Sequence, residues 1–103
     1  MLLKIGEKEY ELKYSLKRVE TIESTTGTPL MASITSSRGM MPLTLLKSCF
    51  CYGLKEPGSD SFIPLPSGQV LFEQALTEHG YAGLVSVIIE ALQRDCPFFF
   101  QAD

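Results

Sequence analysis

The chain is poor in the features that mark most enzymes and nucleic-acid-binding proteins. Its 103 residues include one histidine, His79, and three cysteines, an odd number that does not make the disulfide framework of a small secreted domain. All three are expected as reduced thiols. Positive charge is also scarce, since nine Lys and Arg are outnumbered by twelve Asp and Glu for a formal charge of −3, and the cations are scattered. Phosphate backbones demand concentrated positive charge, so no nucleic-acid surface is expected. No apolar run approaches the roughly 20 residues of a membrane span. Met1 to Ile5 gives way at once to Gly6, Glu7, Lys8 and Glu9, so no secretory leader is read and a cytoplasmic protein is expected. There is no low-complexity tract, internal repeat or domain linker, and Gly39 and Gly53 are isolated, leaving no phosphate-cradling loop.

The residues with chemical potential do not assemble a site. Cys49, Cys51, Cys96 and His79 have the right donor types for zinc, but structural zinc sites bring ligands in knuckles two to four residues apart around a tight turn. On a helix Cys49 and Cys51 point about 200° apart, which favours buried thiols over ligands. His79 precedes Gly80, where an imidazolium gains from a helix dipole, so capping is preferred to catalysis. Glu20 and Glu23 have no second acidic or basic motif at informative spacing, and Ser33, Ser36 and Ser37 lack a glycine-rich nucleophile turn. Neither an enzyme nor a cofactor or metal is expected.

What the chain does have is apolar surface in helical register. Hydrophobic residues make up 45% of it, and a chain of this size buries about 60–70% of its unfolded surface, enough for one domain with a core. Leu3, Ile5, Tyr10, Leu12 and Tyr14 alternate around Gly6, Glu7 and Lys8, predicting a β-hairpin over residues 1–14. Three helices are predicted over residues 15–54. Ser15 caps the first, from about Leu16 to Thr25, with Leu16, Val19 and Ile22 or Glu23 in register, and Gly27 stops it. Thr28 and Pro29 open a short second helix to about Ser36, followed by a break at Ser36 to Gly39. Pro42 opens the third, with Leu43, Leu46, Phe50 and Leu54 on one face and Leu45, Cys49 and Tyr52 on another. Residues 55–67, rich in proline and polar residues, read as a loop whose Phe62, Ile63 and Leu65 could tuck against the body. A fourth helix from Gly68 to His79, capped by Ser67, points Val70, Leu71, Ala75 and Leu76 inward and stops at Gly80. The fifth begins at Tyr81. The fold class is therefore mainly α, a small bundle of about five helices with an N-terminal hairpin.

The last third is the most informative stretch. At about 100° per residue, Tyr81, Leu84, Val85, Val87, Ile88, Ile89, Ala91 and Leu92 sweep an arc of roughly 200°, against about 100° for an ordinary surface helix. Such a helix is either central in its own bundle or covers a partner. Pro97 ends it, and Phe98, Phe99 and Phe100 leave in an extended or turn conformation over the tail 97–103, folding back or acting as an aromatic docking segment. The residues alone indicate a helical interaction domain.

Taken together, Tyr10-Glu11-Leu12-Lys13-Tyr14-Ser15-Leu16, then Val19-Glu20-Thr21-Ile22-Glu23 and Gly27-Thr28-Pro29-Leu30, resemble the opening of the small tail assembly chaperones of long-tailed phages and prophages. Glu78-His79-Gly80-Tyr81, Leu84, Ile88, Glu90-Ala91-Leu92 and Pro97-Phe98-Phe99 are similar to the ending of several Gram-positive members. The resemblance implies a non-catalytic protein of the host cytoplasm, absent from the mature virion. It would coat the tape measure protein, keep its apolar helices from aggregating, help recruit tail tube protein and self-associate. Tape measure contact is expected at Leu84, Val87, Ile88 and Ala91, and self-association or tube recruitment at Phe98, Phe99 and Phe100. Members often make a longer product by ribosomal frameshifting, and consecutive phenylalanine codons offer a slippery uridine run; an apolar tail is the plainer alternative. Two other readings stay open: a head-tail connector subunit, and a cytoplasmic adaptor that binds an amphipathic helix in a groove.

Overall fold

Alternating apolar residues at Leu3, Ile5, Tyr10 and Leu12 give two short strands one buried face. In the computed structural model, which describes residues 2–36 and 41–100 apart from the side chains of Ser33, Thr35, Ser36, Phe99 and Phe100, β1 (Leu2–Ile5) and β2 (Lys8–Leu12) pair antiparallel with Leu3 opposite Tyr10 and Ile5 opposite Lys8. The hairpin is as expected. A third strand, β3 (Leu54–Lys55), was not: it adds to β2 with Leu54 opposite Leu12 and Lys55 opposite Glu11, making a sheet of order β1-β2-β3. Residues 55–67 are therefore not all loop. Lys55 itself is buried at 8% exposure, its ammonium bonded to Glu11 Oε2 at 3.0 Å, to the Glu56 carbonyl at 3.1 Å and to the Ser59 carbonyl. That hydrogen bond also holds the Glu11 carboxyl below its ordinary pKa.

Helix α1 (Leu16–Thr26) starts and stops where its caps require. Ser15 Oγ accepts from the Arg18 amide at 3.2 Å, and Gly27 takes the left-handed conformation at φ 67°. Val19 and Ile22 are buried, whereas Leu16 is exposed. Helix α2 (Leu30–Ser36) begins one residue after Pro29 and is capped differently from expectation. Its first amide, Leu30 N–H, donates to Glu23 Oε2 of α1 at 2.7 Å, while the Thr28 hydroxyl donates to the Thr26 carbonyl. The break expected at Ser36 to Gly39 falls, beyond Ser36, outside the described residues. Helix α3 (Leu43–Gly53) buries Leu45, Leu46, Cys49, Phe50 and Cys51 and leaves Leu43 exposed.

Four α-helices, not five, occur among the described residues, because the expected fourth and fifth form one element, α4 (Leu65–Asp95). It starts three residues before Gly68, with Pro66 in the first turn, where a missing N–H costs nothing. Gly80, the expected stop, is non-helical at φ 77° and ψ 166°, so two helical stretches meet there across a kink with no loop between them. The buried face is set by packing on α3: Ala75 points inward as expected, joined by Gly68 and Phe72, whereas Val70, also expected inward, is 66% exposed and Leu71 and Leu76 are half-buried. The first half runs antiparallel to α3: Gly68 abuts Cys51, the Phe72 ring tilts against Phe50 at 5.5 Å, and the Tyr81 hydroxyl donates to the Met41 carbonyl. After Asp95 the tail forms a 3₁₀ turn, Pro97–Phe100. No helix among the described residues is long and apolar enough to cross a membrane.

Candidate functional site

The second half of α4, where sequence reasoning placed partner contact, lies between two sets of bonds to the hairpin region, one just before the Gly80 kink and one at the end of the helix. At the turn, the Gly6 amide donates to Glu78 Oε1 at 2.9 Å and Oε2 at 3.1 Å, Gln74 Nε2 donates to the same carboxylate at 2.9 Å, and His79 Nε2 lies 2.6 Å from the Lys4 carbonyl oxygen. The Gly6 amide keeps the Glu78 carboxyl below its ordinary pKa. At the open end of the hairpin, the Tyr14 amide donates to Asp95 Oδ2 at 2.8 Å, Arg94 donates to the Leu12 carbonyl, and the Cys96 thiol lies 3.5 Å from the Tyr14 carbonyl.

This brace decides the fate of the predicted contact residues. Leu84, Ile88 and Ala91 each have 0% exposure and belong to the chain's own core, together with Val85 and Leu92. The wide apolar arc is thus satisfied largely by intrachain packing, with Val87, Ile89 and Tyr81 half-buried at its margins. Of the expected tape measure set only Val87 keeps accessible surface; Leu84, Ile88 and Ala91 are corrected to core. Phe98 is 50% exposed, while the side chains of Phe99 and Phe100 lie outside the described part. His79 bonds the hairpin and not the end of its own helix, so its expected capping role is replaced by one between elements.

The thiols are all buried and unpaired with one another. Burial pushes the Cys49 thiol up to about 12 and raises Cys51 and Cys96 as well. A thiol so shifted presents almost no nucleophilic thiolate at neutral pH. Tyr14, whose hydroxyl donates to the Cys49 carbonyl at 2.6 Å, is likewise driven well above its ordinary phenol value by burial.

Sequence reasoning did not find the open surface beside α1. There a groove of about 430 Å³ is lined by Ser15, Lys17, Arg18, Thr21 and Phe62, and an adjoining one of about 270 Å³ by Lys13, Ser15, Lys55, Asp60 and Phe62. The only sequence signal was the first turn of α1, where two cations follow the capping serine. No protein-family model matches the chain, and no curated protein and no solved structure matches it either.

Proposed function

We propose that the chain is a tail assembly chaperone of a long-tailed phage or prophage, which binds the tape measure protein in the host cytoplasm and helps recruit tail tube subunits. The observation that carries the reading is the placement of the two stretches that bear the family resemblance. Tyr10 to Leu16 and Glu78 to Phe99 are far apart in sequence yet lie against each other, joined by Tyr14 to Asp95 and Leu12 to Arg94. Their packing against each other supports reading the two stretches as one structural unit.

In this reading the buried residues Leu84, Ile88 and Ala91 form the support, and contact falls on Val87 and Phe98 at the edge of it. A half-exposed phenylalanine and, further back on α4, a half-buried valine offer the aromatic and aliphatic anchors that apolar helices select. Self-association through the same tail would let several copies line an extended tape measure.

Co-expression of the chain with the tape measure protein encoded beside it is the test. The tape measure protein is expected to be soluble and to co-purify only when the chain is present, and Val87→Asp with Phe98→Asp is expected to return it to the pellet. A tape measure protein that is equally soluble alone, or that is held as well by the double variant, rules the assignment or the contact out respectively.

A further inference from the structure

The first turn of α1 is built against its own dipole. Lys17 and Arg18 stand there and no acidic residue does, although the positive end of a helix favours carboxylates and repels cations. Both cations line the larger groove together with the Phe62 ring. The Arg18 guanidinium lies 3.7 Å above the Phe62 centroid. Such a stack fixes the plane of the guanidinium and leaves its N–H edge open, the arrangement that suits a two-pronged bond to a carboxylate. Neither Arg18 nor Lys17 is paired with an acid among the described residues, whereas Lys13 is tied to Asp95 and Lys55 to Glu11. The uncommitted positive charge of this surface is therefore concentrated at Lys17 and Arg18.

We propose that this groove binds an acidic peptide segment of a partner protein, with Arg18 and Lys17 taking its carboxylates and the part of the Phe62 ring that Arg18 leaves uncovered taking an apolar side chain next to them. Three features of the surface select that occupant. The two lobes share Ser15 and Phe62 and are open to solvent, which fits an extended segment better than an enclosed small molecule. The molecule as a whole is acidic at −3, so an isolated cationic spot both orients and admits a negatively charged chain. Asp60, in the second lobe, repels carboxylates and so sets the direction in which the segment lies.

The test is direct titration of the isotopically labelled full chain, followed by amide resonances, with a capped pentapeptide of four glutamates around a central leucine. The same peptide with glutamines and inorganic phosphate serve as comparisons. The glutamate peptide is expected to shift the amides of Ser15 to Thr21 and Phe62, to bind more weakly as salt rises, and to lose about tenfold in affinity in Arg18→Gln. Lys17→Gln, on an exposed side chain, carries the same expectation should Arg18→Gln disturb the fold. Absence of shifts at those residues, equal shifts with the glutamine peptide, or undiminished affinity in both variants overturns the proposal. Phosphate producing the same shifts at the same concentration also overturns it, because the surface is then a general anion spot.

Discussion

At Asp95 a side chain of 5% exposure collects three positive or donating groups from two ends of the chain. Arg94 reaches it through Nε and a terminal nitrogen, each at 2.8 Å, the Tyr14 amide at 2.8 Å and Lys13 Nζ at 3.6 Å. Burial alone would push this carboxyl up, but the hydrogen bonds from Arg94 and Tyr14 and the charges of Arg94 and Lys13 outweigh it and hold the group below its ordinary value. A folded-state pKa below the unfolded one contributes stability above the unfolded value of about 3.9 and loses it as pH falls through the folded value. Asp95→Asn is therefore expected to lower stability by about 1–2 kcal/mol at pH 7, a figure kept modest because Arg94 and Lys13 are partly solvated. The gap between variant and parent should close as pH falls from about 5 to 2 in urea unfolding. A gap that stays constant with pH would assign the loss to shape and not to charge.

The kink in α4 is an element-scale device, since it lets one helix serve two surfaces. Its first half packs on α3 through Gly68 and Phe72, and its second half is tied through Arg94 and Asp95 to Leu12 and Tyr14 at the end of the hairpin. In a regular helix Gly→Ala stabilises by about 1 kcal/mol, but at φ 77° and ψ 166° an alanine is strained by about 1–3 kcal/mol even though no packed neighbour beyond the adjoining backbone lies within 4 Å of its Cβ. Gly80→Ala is thus expected to lower the urea midpoint; a raised midpoint would mean that the helix straightens without penalty. The same glycine shows why part of the fold was legible in the sequence and part was not. Ser15 and Gly27 bound α1 by local hydrogen bonding and backbone conformation, which the sequence displays directly. A glycine between two apolar helical stretches signals a stop and a kink alike, and what separates them is whether the hairpin and α3 lie on both sides. Two-residue β3 has no periodicity to read, and its partner, β2, lies more than forty positions away in the chain. Val70 was misassigned because the face of a helix follows from what it packs against, and with α3 in place the Gly68, Phe72 and Ala75 face is the one that fits. The groove beside α1 depends on Phe62 arriving from another element, which no local pattern announces.

On the scale of the whole molecule, the surplus apolar surface that the sequence seemed to offer a partner is mostly spent inside. Leu84, Ile88 and Ala91 recur at the spacing of one helix face, and that face meets the hairpin residues and α3 in a single core cluster. Among the described residues the large apolar side chains that remain exposed, Leu2, Leu16, Leu43, Leu65, Val70 and Phe98, are spread over five elements. Scattered single residues of this kind are ordinary on a folded surface, so association has to be argued from particular anchors and not from total apolar area. The distinction is measurable by charge insertion. Ala91→Asp places an unpaired carboxylate where exposure is 0%, at a cost of several kcal/mol against a total stability of about 5–15 kcal/mol, and is expected to abolish or severely weaken cooperative unfolding. Phe98→Asp adds the same charge at a half-exposed site and is expected to keep the thermal midpoint within about 3 °C of the parent. If instead Ala91→Asp folds normally, α4 must be able to leave the hairpin under native conditions. The face of Leu84, Ile88 and Ala91 would then regain its standing as a partner surface, because a residue that tolerates a charge is one that water already reaches.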